Sequence, residues 1–221
     1  RALDKGLLSV NIHDIRQWAV DKHKKVDDYP YGGGPGMVLK PEPLFAAIND
    51  VKAMAADEGP VILLTPVGRL FNHQLAVELA QRPRLILVCG HYEGFDARVH
   101  EYLADDEISI GDYVLSGGEL VAMVIVDAVA RHTVGVLGDP QSATSESFVQ
   151  GLLEYPHYTR PPDFRGWRVP EVLISGNHAE IADWRRRQSL LLTARRRPDL
   201  LARVNLSQEE KEWLASMLGR E

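Results

Sequence analysis

The sequence predicts an α/β domain built on a parallel sheet, followed by a small helical domain, and three observations carry that prediction. Short unbroken apolar runs at residues 61–65 and 85–89 read as strands covered on both faces. Helix-period stretches alternate with them, as in a parallel sheet with helices on both sides. Beyond residue 137 this pattern disappears, and two helix N-terminal devices appear in succession, Asn177 with Glu180 and Ser207 with Glu210.

Taken in order, Pro41 and Pro43 suit the first turn of a helix reaching about Ala56, which Gly59-Pro60 stops. The strand at 61–65 follows, then Asn72 caps a helix carrying Leu75, Val77, Leu79 and Ala80. The strand at 85–89 leads to a helix from Phe95 to Leu103, and a third strand-like segment leads into Ile110. A helix over 118–132 closes the first domain, residues 1–137. Residues 138–148 are small and polar and read as a mobile interdomain linker. A Pro- and aromatic-rich stretch over 155–170 opens the helical domain, 149–221, whose helices start at the two caps and the first of which runs to about Arg195.

Composition narrows the class. With 221 residues and 45% hydrophobic content the chain can bury a sizeable core. No run approaches the roughly 18 apolar residues that cross a bilayer, and no signal-peptide pattern opens the chain, so a cytoplasmic protein without membrane contact is expected. The single Cys89 excludes an intrachain disulfide and reads as a buried strand residue. The net charge of −6 averages two unlike regions. Residues 1–130 hold 12 Lys+Arg against 19 Asp+Glu, whereas residues 155–205 hold 10 arginines and no lysine against 5 acids. A local arginine excess suits RNA, because the planar guanidinium reaches phosphates and bases in a bidentate way, but a solvated helix face gives the same count.

Three glycine-bearing loops follow predicted strands: Thr65-Pro66-Val67-Gly68, Gly90-His91-Tyr92-Glu93-Gly94, and residues 110–119. In open parallel sheets ligands settle at the carboxyl ends of strands, so the loops are placed to line one pocket. Neither G-x-G-x-x-G nor G-x-x-x-x-G-K-[ST] occurs, which points away from a phosphate cradle and toward an adenosine-type ligand held by bare main chain. Residues 31–36, Tyr-Gly-Gly-Gly-Pro-Gly, form a further permissive loop that a plain hairpin tip also explains. His13 and His23 lack ligand spacing, so no metal site is predicted, and His132 needs no role beyond closing a helix. Glu146 between two serines is an acid on a mobile segment, ordinarily just a solvated charge, and Arg131 is the nearest fixed cation in sequence.

Residues 31–37, 85–94, 110–119, 135–138, 151–161 and 173–181 resemble, in the right order, the motifs of the bacterial tRNA (guanine-N1)-methyltransferases of the TrmD type, a SPOUT-class family. The resemblance implies a parallel sheet tied in a deep trefoil knot and an obligate homodimer with active sites at its interface. It implies S-adenosyl-L-methionine as methyl donor, touched by Leu63, Thr65 and Pro66, by Gly90, Tyr92 and Glu93, and by Ile110, Gly111, Asp112, Tyr113, Val114, Leu115, Gly117 and Gly118. The substrate implied is the guanine immediately 3′ of the anticodon in tRNA, contacted through the anticodon stem-loop by Gly36, His157, Tyr158, Arg160, Asn177, His178 and Trp184. Arg131 matches the family's oxyanion-stabilising arginine, and Glu146 stands where the family carries an aspartate base. A magnesium requirement comes with the family. So does a first strand with a Leu-Phe-Pro turn, which is expected upstream of Arg1. Two other readings compete: an RNA-binding dimer without turnover, suggested by glutamate at the base position, and a SPOUT enzyme acting on a different RNA base.

Overall fold

The structure, a computed structural model, describes residues 2–137 and 146–219. It divides into two compact units, Arg1–Gly138 and Asp139–Glu221. Most of the stretch expected to link two domains, 138–145, lies outside the described residues.

In the first unit β1 (Asp27–Asp28) pairs antiparallel with β2 (Val38–Leu39). A parallel sheet then follows in the order β4-β3-β5, made of β3 (Val61–Leu70), β4 (Ile86–Cys89) and β5 (Asp106–Ser109). Side chains alternate across a strand, and both faces of this sheet are covered. Val61, Leu63, Ile86 and Val88 join Leu44, Ile48 and Val51 of α1 (Pro41–Ala53) and Val99 of α3 (Ala97–Tyr102). Ile62, Leu64 and Ile108 join Leu75 and Leu79 of α2 (His73–Ala80) and Ile125 of α4 (Glu119–Ala130). This is the mixed α/β architecture with a parallel sheet that the alternation predicts.

Local chemistry explains where the elements stop. Asn72 accepts from the Leu75 amide at 3.0 Å and starts α2. Asp96, rather than Phe95, caps α3, because Phe95 is drawn into the core beneath Leu39. The largest difference from the sequence reading is β3, which does not end at Thr65. Leu64 and Arg69 both pair with Ile108 of β5, so residues 65–68 leave the ladder as a bulge and return to the same rung. Gly68 allows that return, since a Cβ there would collide with the Ile108 nitrogen and the Glu107 carbonyl carbon. Arg69 closes the base, donating to Asp106 at 2.7 Å and Glu78 at 3.1 Å, contacts that push its guanidinium pKa up.

The second unit holds a two-stranded hairpin, β6 (Asp163–Phe164) with β7 (Trp167–Arg168), and the helices α5 (His178–Arg196), α6 (Pro198–Leu201) and α7 (Gln208–Leu218). Leu152, Leu190, Leu191 and Leu214 form its core. Asn177 accepts from the amides of Ala179 and Glu180, and Ser207 with Glu210 makes a complete capping box on α7. Ser207→Ala is expected to cost about 1 kcal/mol of stability, measured by urea unfolding. Among the described residues no helix is long and apolar enough to cross a membrane.

Candidate active site

The second and third glycine loops meet. Their contact is made by main chain: Gly118 N–H donates to the Gly90 carbonyl at 2.8 Å, and His91 bridges Gly117 in antiparallel fashion. Between them and the 65–68 bulge lies a cavity of about 370 Å³ at the carboxyl ends of β3, β4 and β5. Small-molecule sites span roughly 300–1,000 Å³, so the space suits a nucleoside-sized ligand.

Thr65 and Pro66 line the cavity from the bulge, and Gly90, Tyr92 and Glu93 from the second loop. Ile110, Gly111, Tyr113, Val114, Leu115, Gly117 and Gly118 line it from the third. Tyr92 is held at φ +58°, an uncommon conformation for an aromatic residue. The third loop is braced on itself, with Ser109 Oγ donating to the Gly111 carbonyl at 3.2 Å and Tyr113 Oη to the Ile110 carbonyl at 3.3 Å. Two residues named for donor contact do not line the cavity with the others. Leu63 is fully buried in the α1-side core, because its neighbour Leu64 takes the opposite face, and Asp112 is not among the lining residues. Gly36 lies against the Glu93 side chain, and Glu93 N–H donates to the Met37 carbonyl at 3.0 Å, so the 31–37 loop borders this cavity.

His91 and His100 also line the cavity, and neither is among the residues selected from the sequence. His91 Nε2 lies 2.5 Å from Glu119 Oε1 across the two loops, and His100 Nδ1 lies 2.8 Å from Glu107 Oε1. Only the glycine-rich setting of His91 offers a local signal; the partner carboxylates are brought in by the fold. The hydrogen bond from His91 holds the Glu119 carboxyl below its ordinary 4.5. A depressed carboxyl pKa stabilises the fold fully above the unfolded value and loses that contribution as pH falls through the folded one. His91→Ala is therefore expected to flatten the fall in stability below pH 4.5, read from acid unfolding curves. Burial pushes the Cys89 thiol up to about 11, which keeps it protonated at neutral pH.

Arg131 is the C-cap of α4, half-buried, its N–H donating to the Asp127 carbonyl at 3.3 Å. Glu146 belongs to the second unit and opens a turn in which Val149 N–H donates to the Glu146 carbonyl at 3.4 Å. That turn is anchored by Phe148 N–H on the Leu152 carbonyl at 2.7 Å and by Glu154 N–H on Ser147 Oγ at 2.9 Å. The described end of the expected linker is thus fastened by hydrogen bonds to the residues that follow it.

In the second unit the Tyr158 and Trp184 rings lie 6.4 Å apart, and Trp184 lines a shallow groove with Val172, Asp183 and Arg187. His157 pairs with Glu154 at 3.0 Å and lies 4.8 Å from the Tyr155 ring, over which Arg185 sits. Arg160 is exposed, Asn177 serves as the α5 cap, and His178 is the first residue of that helix. Among the described residues no group of three or more His, Cys, Asp or Glu side chains is gathered to hold a metal.

A parallel sheet covered on both faces, with its strand-end loops converging on one cavity, defines an α/β protein with a candidate ligand site where such folds carry one. Comparison with known proteins makes the assignment specific. Residues 1–203 match the model of the family described as tRNA (Guanine-1)-methyltransferase TrmD, and the chain belongs to that family. It is 58% identical over 221 residues to the tRNA (guanine-N(1)-)-methyltransferase of Dehalococcoides mccartyi strain ATCC BAA-2266, covering 100% of this chain and 89% of the relative. It is 59% identical over 222 residues to that of Moorella thermoacetica, with the same coverage. With the enzyme of Chloroflexus aggregans it shares 62% identity over 204 residues, covering 92% of this chain and 80% of the relative.

Proposed function

We propose that this enzyme, a tRNA (guanine-N1)-methyltransferase by family, methylates N1 of the guanine immediately 3′ of the anticodon, using S-adenosyl-L-methionine. The observation that carries the reading is the convergence of three main-chain loops on one cavity in a chain of this family. The cavity fits the donor in chemistry as well as size. Its floor is main chain at Gly90 and Gly118, and a Cβ on Gly118 would lie 2.7 Å from Cys89 Cα. When bound, the donor supplies an electrophilic methyl on a sulfonium.

The remaining chemistry falls to side chains of this protein. Guanine N1 carries a proton at neutral pH, so the nitrogen becomes nucleophilic only as that proton leaves. In this proposal the Glu146 carboxylate takes it, and the Arg131 guanidinium holds the charge that gathers on O6. Gly36, His157, Tyr158, Arg160, Asn177, His178 and Trp184 bind the anticodon stem-loop, with rings and guanidinium groups suited to unstacked bases. Residues 1–137 are the donor-binding domain, tied in a trefoil knot; residues 138–148 are the linker and 149–221 the tRNA-binding domain. The passage of residues 117–118 against 90–91 supports a knotted path. Exposed Leu120, Met123 and Val124 on α4 support a homodimer. A cytoplasmic location and a magnesium requirement belong to the same proposal.

Incubation with methyl-labelled donor and a tRNA carrying guanine at that position tests the reading. Label should appear as N1-methylguanine there, and chelation of divalent ions should reduce it. Binding of donor and tRNA without transfer would leave a binding protein, and label on another base would move the substrate.

A further inference from the structure

The hairpin β6–β7 takes no part in the chemistry above, yet it is built with care. Arg165 at φ +58° and Gly166 at φ +85° form its tip, the positive-φ pair that a two-residue hairpin turn requires. Arginine is an uncommon choice there, since the position favours Asn, Asp or Gly. Asp163 braces the base, accepting from Gly166 N–H at 2.9 Å and from Arg168 Nε at 3.1 Å, and Val169 N–H donates to the Pro162 carbonyl at 2.9 Å. The one carboxylate of the hairpin is thereby engaged from within, and the tip presents positive charge.

Two large rings flank that charge. Phe164 and Trp167 lie 6.0 Å apart with planes at 50°, and the Arg165 guanidinium sits 5.2 Å from the Phe164 centroid. Phe164 is 53% exposed and Trp167 71%. Rings left in water on a braced turn contribute little to the core, so their value lies in what they meet outside. The charge of the hairpin itself says what that is. Arg165 and Arg168 stand against the single acid Asp163, a local positive excess that complements a polyanion. A polyanion with flat faces is a nucleic acid, and only an unpaired base offers its face to a protein ring.

We propose that the β6–β7 hairpin is a stacking platform for an unstacked base of a single-stranded RNA loop, with Trp167 and Phe164 supplying the faces and Arg165 reaching the adjoining phosphate. The proposal rests on the tRNA reading above and adds a contact surface to it.

The test uses the full chain and two labelled RNAs of equal length, an anticodon stem-loop and a perfect duplex, followed by fluorescence anisotropy. Replacing both rings, Phe164→Ala with Trp167→Ala, is expected to weaken stem-loop binding about ten-fold or more, leaving duplex binding and donor titration heats unchanged. Trp167→Phe, which keeps a ring, should bind the stem-loop more tightly than Trp167→Ala. Arg165→Ala should lower the salt dependence of binding by about one phosphate contact. Unchanged stem-loop affinity in the double variant, or Trp167→Phe binding no better than Trp167→Ala, overturns the platform. So does loss of self-association in sedimentation, which would seat the hairpin against a second copy. Methyl transfer by the parent protein is scored separately, so the platform can fail while the enzymatic reading stands.

Discussion

Glu146→Gln is expected to lower methyl transfer by about 10²- to 10⁴-fold while donor binding persists, because the amide accepts no proton from guanine N1. The side chain keeps its size and its place at the head of the anchored turn 146–152, so the variant isolates proton acceptance from folding. Glu146→Asp, which restores the acid the family resemblance places there, should retain far more activity than the amide. Single-turnover transfer of labelled methyl reads the chemical step, and calorimetric titration with the donor reads binding. Turnover equal to the parent in Glu146→Gln would remove this residue from the mechanism and leave family membership untouched.

Gly118→Ala should weaken donor binding about ten-fold or more, in line with the roughly 1–3 kcal/mol that overpacking costs. Gly118 has φ −78° and ψ −6°, a conformation any residue adopts, so the need for glycine here is one of space. An ideal Cβ would stand 2.7 Å from Cys89 Cα and 2.9 Å from Gly90 N, both main-chain atoms that no side-chain rotation can move away. Accommodating the methyl would part the two loops at the Gly118–Gly90 hydrogen bond that closes the cavity floor. Donor titration and a thermal melt of the same variant separate a local loosening from a general loss of stability. An alanine variant that binds the donor as the parent does would show that this floor is not where the ligand rests.

Much of the fold was legible because the signals for it are local. The apolar runs at 61–65 and 85–89 name buried strands, and Asn72 and Ser207 name helix starts, from a few consecutive residues each. The convergence of the glycine loops followed from their places after predicted strands of a parallel sheet. What stayed hidden depends on partners distant in sequence. The continuation of β3 through Pro66 to Leu70 exists because Ile108 receives it, and no window around Pro66 contains Ile108. The facing of Leu63 away from the cavity is decided by which side of the sheet α1 occupies. The His91–Glu119 and His100–Glu107 pairs join residues whose neighbours give no hint of each other. The strands β1, β2, β6 and β7 span two residues each, too few for a period to register.

The bulge at residues 65–68 starts and finishes on one rung, with Leu64 and Arg69 sharing Ile108 as partner. Inserting or deleting a residue inside it would leave the register of the sheet beyond that rung unaltered. One wall of the pocket can therefore diverge between relatives in length and composition while the core beneath stays fixed. Inhibitor selectivity among such enzymes should accordingly be sought at Pro66 and Val67 before the deeper glycine floor.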